Sequence, residues 1–205
     1  MQKFVGTGVA LVTPFKKDFS VDVEALIRIV NHVIEGGVDY LVVQGTTGES
    51  ATTTSDEKKK IIETIKESNA YQLPIVYGIG GNDTESLLTQ IKNTTFDGID
   101  AILSVAPYYN KPIQKGIVAH FKMVASFTDL PIILYNVPGR TGSNMSIETT
   151  LELAELPNVV AVKEASGNME QIMDIIRQRK PGFGVLSGDD NLTMPLIAAG
   201  ADGVI

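Results

Sequence analysis

The chain has 205 residues, of which 43% are hydrophobic and 20% are charged, and this composition predicts one globular domain with a sizeable core. Its formal net charge of −7 opposes a phosphate backbone or an anionic bilayer, so we expect neither nucleic acid nor a membrane as a partner. The chain has no cysteine, which excludes a disulfide framework and a cysteine nucleophile. No apolar run reaches the roughly 18 residues that a membrane span requires.

Short apolar segments alternate with longer amphipathic segments along the whole chain. Predicted strands cover residues 9–12, 40–43, 75–79, 101–105, 132–135, 159–163, 184–187 and 203–205. Predicted helices cover residues 21–35, 55–68, 84–93, 114–127, 147–156, 169–179 and 191–199. This alternation predicts βα units around a parallel sheet. Eight strands without a reversed order favour a closed (β/α)8 barrel over an open doubly wound sheet, although periodicity alone does not separate the two.

Lys163 closes the sixth predicted strand, and the other lysines of the chain lie in polar loops or helices. In a parallel barrel, reactive groups lie at the C-terminal ends of strands. Desolvation there lowers the pKa of a lysine and provides the neutral amine that attacks a ketone. The alternative is a strand-end lysine that extends its amine to solvent, and this segment alone does not decide between the two.

The fifth predicted strand ends in Tyr135, one strand away from Lys163. A phenol at this place can relay protons while an amine adds to a ketone. Arg140 in the following loop can bind a carboxylate through two parallel hydrogen bonds. The alternatives are a packed tyrosine and a surface arginine.

Three further strand ends lead into polar turns. The second strand is followed by GTTGES at 45–50, which suits a carboxylate or a phosphate unless its hydroxyls only cap a turn. The fourth runs into PYYNKP at 107–112 and the seventh into SGDD at 187–190. Backbone carbonyls and the carboxylates of Asp189 and Asp190 could reach a substrate from the latter loop. The two carboxylates supply too few oxygens for a hard cation, so a helix-capping role is favoured over a metal site. His32 and His120 lie in predicted helices, and no metal site is predicted.

Five motifs together resemble the dihydrodipicolinate synthase / N-acetylneuraminate lyase family. They are GTTGE at 45–49, YYN at 108–110, YNVP at 135–138 with RTG at 140–142, KEA at 163–165 and SGDD at 187–190. The resemblance covers essentially the whole chain and implies a class I, Schiff-base lyase on a (β/α)8 (TIM) barrel. It is closest to the members that condense pyruvate with L-aspartate 4-semialdehyde to 4-hydroxy-tetrahydrodipicolinate in lysine and diaminopimelate biosynthesis. It implies no cofactor, because a pyruvate imine forms on the lysine.

The resemblance also implies roles for individual residues. Lys163 matches the Schiff-base lysine, and Tyr135 matches the tyrosine that moves protons together with Thr46. Tyr109 matches a tyrosine that is donated across a tight-dimer interface. The substrate-binding positions are Thr47 for the pyruvate carboxylate, Arg140 for the semialdehyde carboxylate, and Gly188 and Ile205 for backbone carbonyls near the lysine.

A regulatory site is implied by the same resemblance. Ser50, Ala51, Asn82 and Tyr108 match positions at which some members bind lysine as a feedback inhibitor. This chain has Ser55 and Lys58 where feedback-sensitive members often have histidines, and Ser86 where they have a glutamate. The loss of a carboxylate that would hold the lysine ammonium predicts weak or absent inhibition by lysine.

The family also implies a cytoplasmic homotetramer built as a dimer of dimers. Its members continue with a last barrel helix and a C-terminal helical segment, whereas this sequence stops at Ile205, in or just after the eighth predicted strand. We therefore expect residues 1–205 to be a TIM-barrel catalytic domain from which those parts are missing.

Two rival functions fit part of this pattern. An N-acetylneuraminate lyase or a 2-keto-3-deoxy acid aldolase keeps the lysine chemistry and changes the aldehyde, but Arg140, the paired tyrosines and the doubled threonine argue against it. A non-catalytic barrel that binds small acids would be favoured if Lys163 or Tyr135 were missing, and both are present.

Overall fold

A computed structural model describes residues 2–205 of the chain. In this range, eight parallel strands close into a barrel in which each strand pairs with the next and the last pairs with the first. The strands are β1 (Gly6–Ala10), β2 (Tyr40–Val43), β3 (Ile75–Gly78), β4 (Ala101–Val105), β5 (Ile132–Asn136), β6 (Val159–Glu164), β7 (Gly184–Ser187) and β8 (Gly203–Val204). The predicted (β/α)8 architecture is confirmed.

Helices follow the strands and cover the outside of the barrel. They are α1 (Val23–Glu35), α2 (Ser55–Ser68), α3 (Thr84–Asn93), α4 (Gln114–Phe127), α5 (Pro138–Thr141), α6 (Ile147–Ala154), α7 (Met169–Gln178) and α8 (Asp190–Ala198), with a 3-10 helix at Gln2–Phe4. Three of them, α2, α3 and α4, have the predicted bounds. Capping side chains explain two of the starts: Thr54 and Glu57 form a capping box at α2, and Asp83 accepts from two amides at α3. Among the helices of residues 2–205, none is long and apolar enough to cross a bilayer.

The first strand differs from its predicted position, since β1 covers Gly6–Ala10 and not residues 9–12. Glycine weakens most strands, but a Cβ at Gly8 would overlap the ring of Tyr40 on the neighbouring strand. That ring is fully buried and packs edge to face against Phe4. The strand therefore contains glycine because the tyrosine occupies the barrel interior beside it.

The core has two layers. The inner layer fills the barrel with side chains such as Val42, Val76 and Leu186, and the outer layer packs the sheet against the helices. Alternate residues of each strand point to the two layers, because successive side chains of a strand lie on opposite faces. This alternation puts Tyr135 in the inner layer, and Asn136 is therefore directed outward.

Three strands are preceded by the same pattern, Gly-X-Asp, at the N-terminal end of the barrel. Asp39, Asp100 and Asp202 each accept a hydrogen bond from a backbone amide of the preceding strand, at Thr7, Ile75 and Val185 respectively. The glycine two residues before each aspartate has a positive φ, of 82°, 73° and 104° in chain order, which glycine adopts without strain. These aspartates hold strand pairs in register at the N-terminal end of the barrel. Within the described residues they make no contact that would occupy the C-terminal end, where the strands deliver their last residues.

Candidate active site

A cavity of about 530 Å³ opens at the C-terminal end of the barrel. This is the end at which the parallel strands deliver their last residues and the βα loops. Seven of the predicted site residues line it: Thr46, Thr47, Tyr135, Arg140, Lys163, Gly188 and Ile205. They come from five different strand ends, those of β2, β5, β6, β7 and β8, and the barrel brings them together.

Lys163 lies in the wall of this cavity, and only 8% of its surface is exposed. Burial lowers the pKa of its amine to about 8, and Arg140 contributes to the decrease, whereas the negative charges of Asp189 and Asp190 oppose it. At pH 7, a pKa near 8 leaves roughly one amine in ten neutral, compared with roughly one in 3,000 for an ordinary lysine. The environment therefore supplies the nucleophilic form of the amine.

Tyr135 lies beside this amine on the adjacent strand. The register of β5 and β6 pairs Tyr135 with Lys163, and the Lys163 Nζ atom lies 4.6 Å from the centroid of the phenol ring. Burial raises the pKa of Tyr135, while Arg140 and the hydroxyl of Thr46 lower it. The phenol thus stays protonated near neutrality and can donate its proton close to the lysine.

The turn after β2 lines the cavity with Gly45, Thr46 and Thr47 and contains two backbone amides without a hydrogen-bond partner in the part of the chain that the structure describes. It begins and ends at residues with left-handed backbone, Gln44 with φ 58° and Glu49 with φ 55°. The amides of Gly48 and Glu49 donate within the turn, to the carbonyls of Gly45 and Thr46. Within residues 2–205, the amides of Thr46 and Thr47 donate no hydrogen bond, which leaves two donors for an oxyanion.

Arg140 stands in α5, a single turn of helix that the sequence did not predict. Its guanidinium lines the cavity and forms no ion pair with any carboxylate in the described part of the chain. A cation that faces a cavity without a counter-ion favours an anionic ligand.

The backbone of Gly188 lies so close to the Lys163 side chain that a larger residue would not fit at this position. A Cβ at this position would lie 3.0 Å from the Lys163 Cε atom and 2.8 Å from the Cβ of Ala165. Its amide donates to the carbonyl of Glu164 at 2.7 Å, and the amide of Ile205 donates to the carbonyl of Ser187 at 2.9 Å. Both residues are held at the cavity wall by these backbone hydrogen bonds, and the role of their carbonyls stays a prediction.

Asp189 is the N-cap residue of α8, but its carboxylate does not have the predicted capping role. Its side chain makes no capping hydrogen bond to α8, and its Oδ2 atom accepts from the amide of Gly167 at 3.1 Å. The carboxylate faces the cavity, and it is the largest influence that raises the pKa of Lys163. In residues 2–205, the His, Asp and Glu side chains form no group of three or more that could hold a metal ion.

Tyr109 and the residues of the implied lysine site do not line the cavity. The Tyr109 ring is 86% exposed, with φ 72°, and Tyr108 is also exposed. Ser50 and Ala51 follow the turn after β2, and Asn82 precedes α3 and accepts a hydrogen bond from Asn110. The roles of Tyr109 and of this second group stay predictions.

Two functional features were not predicted from the sequence. One is the effect of the Asp189 charge on the pKa of Lys163, and the other is the buried pair of Asn136 and Glu164 directly after Tyr135 and Lys163. The sequence carried a signal for the pair, since a polar residue follows the reactive one at both strand ends. His120, in contrast, has a structural role, since it is buried and bonded to Thr84 through its Nδ1 atom at 2.8 Å.

Comparison with known proteins agrees with this geometry. A model of the dihydrodipicolinate synthetase family matches residues 3–205. The chain belongs to this family. A relative named 4-hydroxy-tetrahydrodipicolinate synthase, from Flavobacterium psychrophilum, is 58% identical over 206 residues that cover 100% of this chain and 70% of that protein.

Solved structures of dihydrodipicolinate synthases have the same fold. The enzyme of Acinetobacter baumannii, described as chloride inhibited and complexed with pyruvate, is 41% identical with a TM-score of 0.94, over 98% of this chain and 69% of that one. The enzyme of Cyanidioschyzon merolae with lysine bound is 45% identical with a TM-score of 0.93, over 99% of this chain and 70% of that one. These enzymes share the barrel described above.

Proposed function

We propose that this member of the dihydrodipicolinate synthetase family condenses pyruvate with L-aspartate 4-semialdehyde to 4-hydroxy-tetrahydrodipicolinate, as a step of lysine and diaminopimelate biosynthesis. The observation that carries the proposal is the cavity in which a lysine of pKa about 8, a phenol and an unpaired guanidinium meet. The relative from Flavobacterium psychrophilum bears the name of the enzyme that makes this product. A similar structure is a complex with pyruvate.

The first half of the reaction uses the amine and the free amides. Neutral Lys163 attacks the C2 ketone of pyruvate, while the amides of Thr46 and Thr47 bind its carboxylate. Tyr135 donates a proton to the developing alkoxide, and the carbinolamine then loses water to give the iminium. When a C3 proton leaves, the electrons of the C3–H bond form a C2=C3 double bond and the C=N electrons of the iminium move to nitrogen, so the product of this step is an enamine.

The second half uses the guanidinium. Arg140 binds the carboxylate of the semialdehyde with its aldehyde carbon toward the enamine. The enamine C3 forms a bond to that carbon, and the aldehyde oxygen takes up a proton to become the hydroxyl. The amino group of the second substrate then attacks C2, closes the ring and releases Lys163. The imine is the electron sink in this scheme, so we propose that no organic cofactor or metal takes part.

We also propose that the partners are these two small molecules and that the complete protein is a cytoplasmic homotetramer. Tyr109 has an exposed ring and a left-handed backbone conformation. A tyrosine rarely adopts this conformation unless other contacts compensate for its strain. This supports the proposal that the ring enters the active site of a neighbouring subunit.

Lysine is proposed to inhibit weakly or not at all. Ser86 offers no carboxylate, and its hydroxyl donates to Asp83 at 2.5 Å, which occupies it at the start of α3. Lys58 adds a half-buried amine on α2, whose pKa is lowered by burial. Neither side chain supplies the negative charge that would bind the ammonium group of a lysine inhibitor.

A substrate panel tests the proposal. The protein is assayed with pyruvate and one of three second substrates: L-aspartate 4-semialdehyde, N-acetylmannosamine or glyceraldehyde. Of these three, we expect only L-aspartate 4-semialdehyde to be turned over rapidly. Arg140→Ala should raise the KM for the semialdehyde on the order of tenfold to a hundredfold, because a charge-assisted hydrogen bond is lost. The control Lys115→Ala removes an exposed cation of α4 and should leave the KM unchanged. Preference for N-acetylmannosamine would refute the proposed substrate.

A further inference from the structure

A buried polar network lies on the outer face of the sheet, behind Lys163 and Tyr135. Its members are Asn136 on β5, Glu164 on β6, Gln171 on α7 and Asn144 in the segment between α5 and α6. Asn136 and Glu164 are completely buried. A carboxyl group in this position is unfavourable unless hydrogen bonds compensate for its lost hydration, and none of the proposed reaction steps uses it.

The peptide groups of Met145 determine how the network is oriented. The amide of Met145 donates to Asn136 Oδ1 at 3.0 Å, and its carbonyl accepts from Gln171 Nε2 at 3.2 Å. Both side-chain NH2 groups are thereby directed to Glu164 Oε1, at 2.9 Å from Asn136 and 3.3 Å from Gln171. The position of Glu164 Oε1 therefore requires an oxygen that accepts hydrogen bonds.

Asn144 extends the network toward the helix that carries Arg140. Its Oδ1 atom accepts from Asn136 at 2.8 Å, and its Nδ2 atom donates to Gln171 at 2.7 Å. One connected set of hydrogen bonds therefore links the ends of β5 and β6, the segment after α5 and the first turn of α7. These are the segments that place Tyr135, Arg140 and Lys163 in the cavity.

The strand register couples the network to the reacting groups. Asn136 pairs with Glu164, in the position next to the pair of Tyr135 and Lys163. Because side chains alternate across the sheet, the outward pair fixes the backbone from which the inward pair projects. A loosened outward pair allows the amine and the phenol to shift relative to each other, without any change in the residues that touch the substrate.

We propose that Glu164 is a positioning residue, which holds Lys163 and Tyr135 in their reactive geometry through its hydrogen bonds to Asn136 and Gln171. The inference deepens the proposed function and rests on it. The charges that act on the lysine amine are those of Asp189, Asp190 and Arg140, so Glu164 acts through its acceptor oxygen and not through its charge. A glutamine should therefore replace it, since it keeps a carbonyl oxygen in that place.

The test compares Glu164→Leu with Glu164→Gln. Active sites are counted as the amount of pyruvate that borohydride fixes on the protein, and kcat is expressed per site. We expect Glu164→Leu to lower kcat and the rate of pyruvate trapping on the order of tenfold to a hundredfold, with the KM for the semialdehyde unchanged, because small displacements of reacting groups have effects of this size. Glu164→Gln should recover kcat to within roughly threefold of the unaltered protein. An unchanged kcat per site in the leucine variant, or a glutamine variant that is no better than leucine, would overturn the inference.

A matched control lies at the opposite end of the same strand. Asn158, just before β6, donates to the carbonyls of Ala125 and Thr128 at 2.9 and 2.7 Å. Asn158→Leu should lower stability and leave kcat per site unchanged, which separates positioning from a general loss of hydrogen bonds.

If Glu164→Leu does not fold, Asn144→Ala loosens the network from its exposed edge and should lower kcat per site by about threefold to tenfold. No loss in that variant would equally overturn the inference.

The two proposals fail in different ways. If the unaltered protein traps no pyruvate, the proposed function is refuted and this inference with it. If the unaltered protein and the leucine variant trap pyruvate equally fast, only the inference is refuted. If pyruvate is trapped but the semialdehyde does not react, the second substrate is wrong, and the trapping rates still decide the role of Glu164.

Discussion

Replacement of the buried lysine should make the protein more stable while it abolishes activity. Lys163→Met keeps an unbranched side chain of similar length that fills the same space and removes a charge from a site that water hardly reaches. The variant should form no covalent adduct with pyruvate. It should nevertheless resist urea better than the unaltered protein at neutral pH.

The expected gain follows from the shifted pKa. In the folded protein the pKa of Lys163 is about 8, and in the unfolded chain it returns to the ordinary value of 10.5. One unit of pKa corresponds to about 1.4 kcal/mol, so at pH 7 the burial of this amine lowers the free energy of unfolding by about 3 kcal/mol. Between the two pKa values the unfolded chain binds more protons, and the stability of the unaltered protein therefore rises with pH from about 8 to about 10.5.

Urea unfolding at pH 7 and pH 10 measures this directly. The variant should exceed the unaltered protein by about 3 kcal/mol at pH 7 and by less than about 1 kcal/mol at pH 10. Lys60→Met, at an exposed position on α2, serves as the control and should change stability by less than about 0.5 kcal/mol at either pH. A variant that is less stable at pH 7, or a difference that does not depend on pH, would refute the reasoning about the desolvated amine.

Three further predictions concern the neighbours of this amine and the regulatory site. Gly188→Ala should lower stability by about 1 to 3 kcal/mol in urea unfolding and slow pyruvate trapping, because its Cβ would press on Lys163 and Ala165; unchanged trapping would contradict the close packing. Asp189→Asn removes the charge that most raises the pKa of Lys163, so the pH midpoint of trapping should move to lower pH, and a shift to higher pH would show that the sign is wrong. Millimolar lysine should inhibit the unaltered protein little, while Ser86→Glu should strengthen inhibition in the same assay; strong inhibition without the substitution would refute the assignment.

The barrel was predictable because its signals are local. Apolar runs such as residues 101–105 between turn residues mark strands on their own, and caps such as Thr54 mark helix starts. The first strand was misplaced because the reason for its glycines lies on another strand, in the ring of Tyr40. Helix α5 was missed because a four-residue helix is too short for any hydrophobic period.

The candidate site was predictable as a set of residues but not as an environment. Lys163 and Tyr135 stand at strand ends, which the sequence marks. The lowered pKa of the lysine depends on the packing of the whole cavity wall and on Asp189, which was interpreted as a cap. The network around Glu164 joins two segments of the chain, at 136–145 and at 164–171, so it becomes visible only when β5 and β6 are placed in register.

The central claim is that Lys163 forms an imine with pyruvate. The protein is incubated with pyruvate and borohydride, digested, and analysed by mass spectrometry at peptide resolution. We expect one reduced pyruvate on the peptide that contains Lys163, with a rate of trapping that rises with pH through a midpoint near 8. An adduct on another lysine, or no adduct with the unaltered protein, would contradict the account.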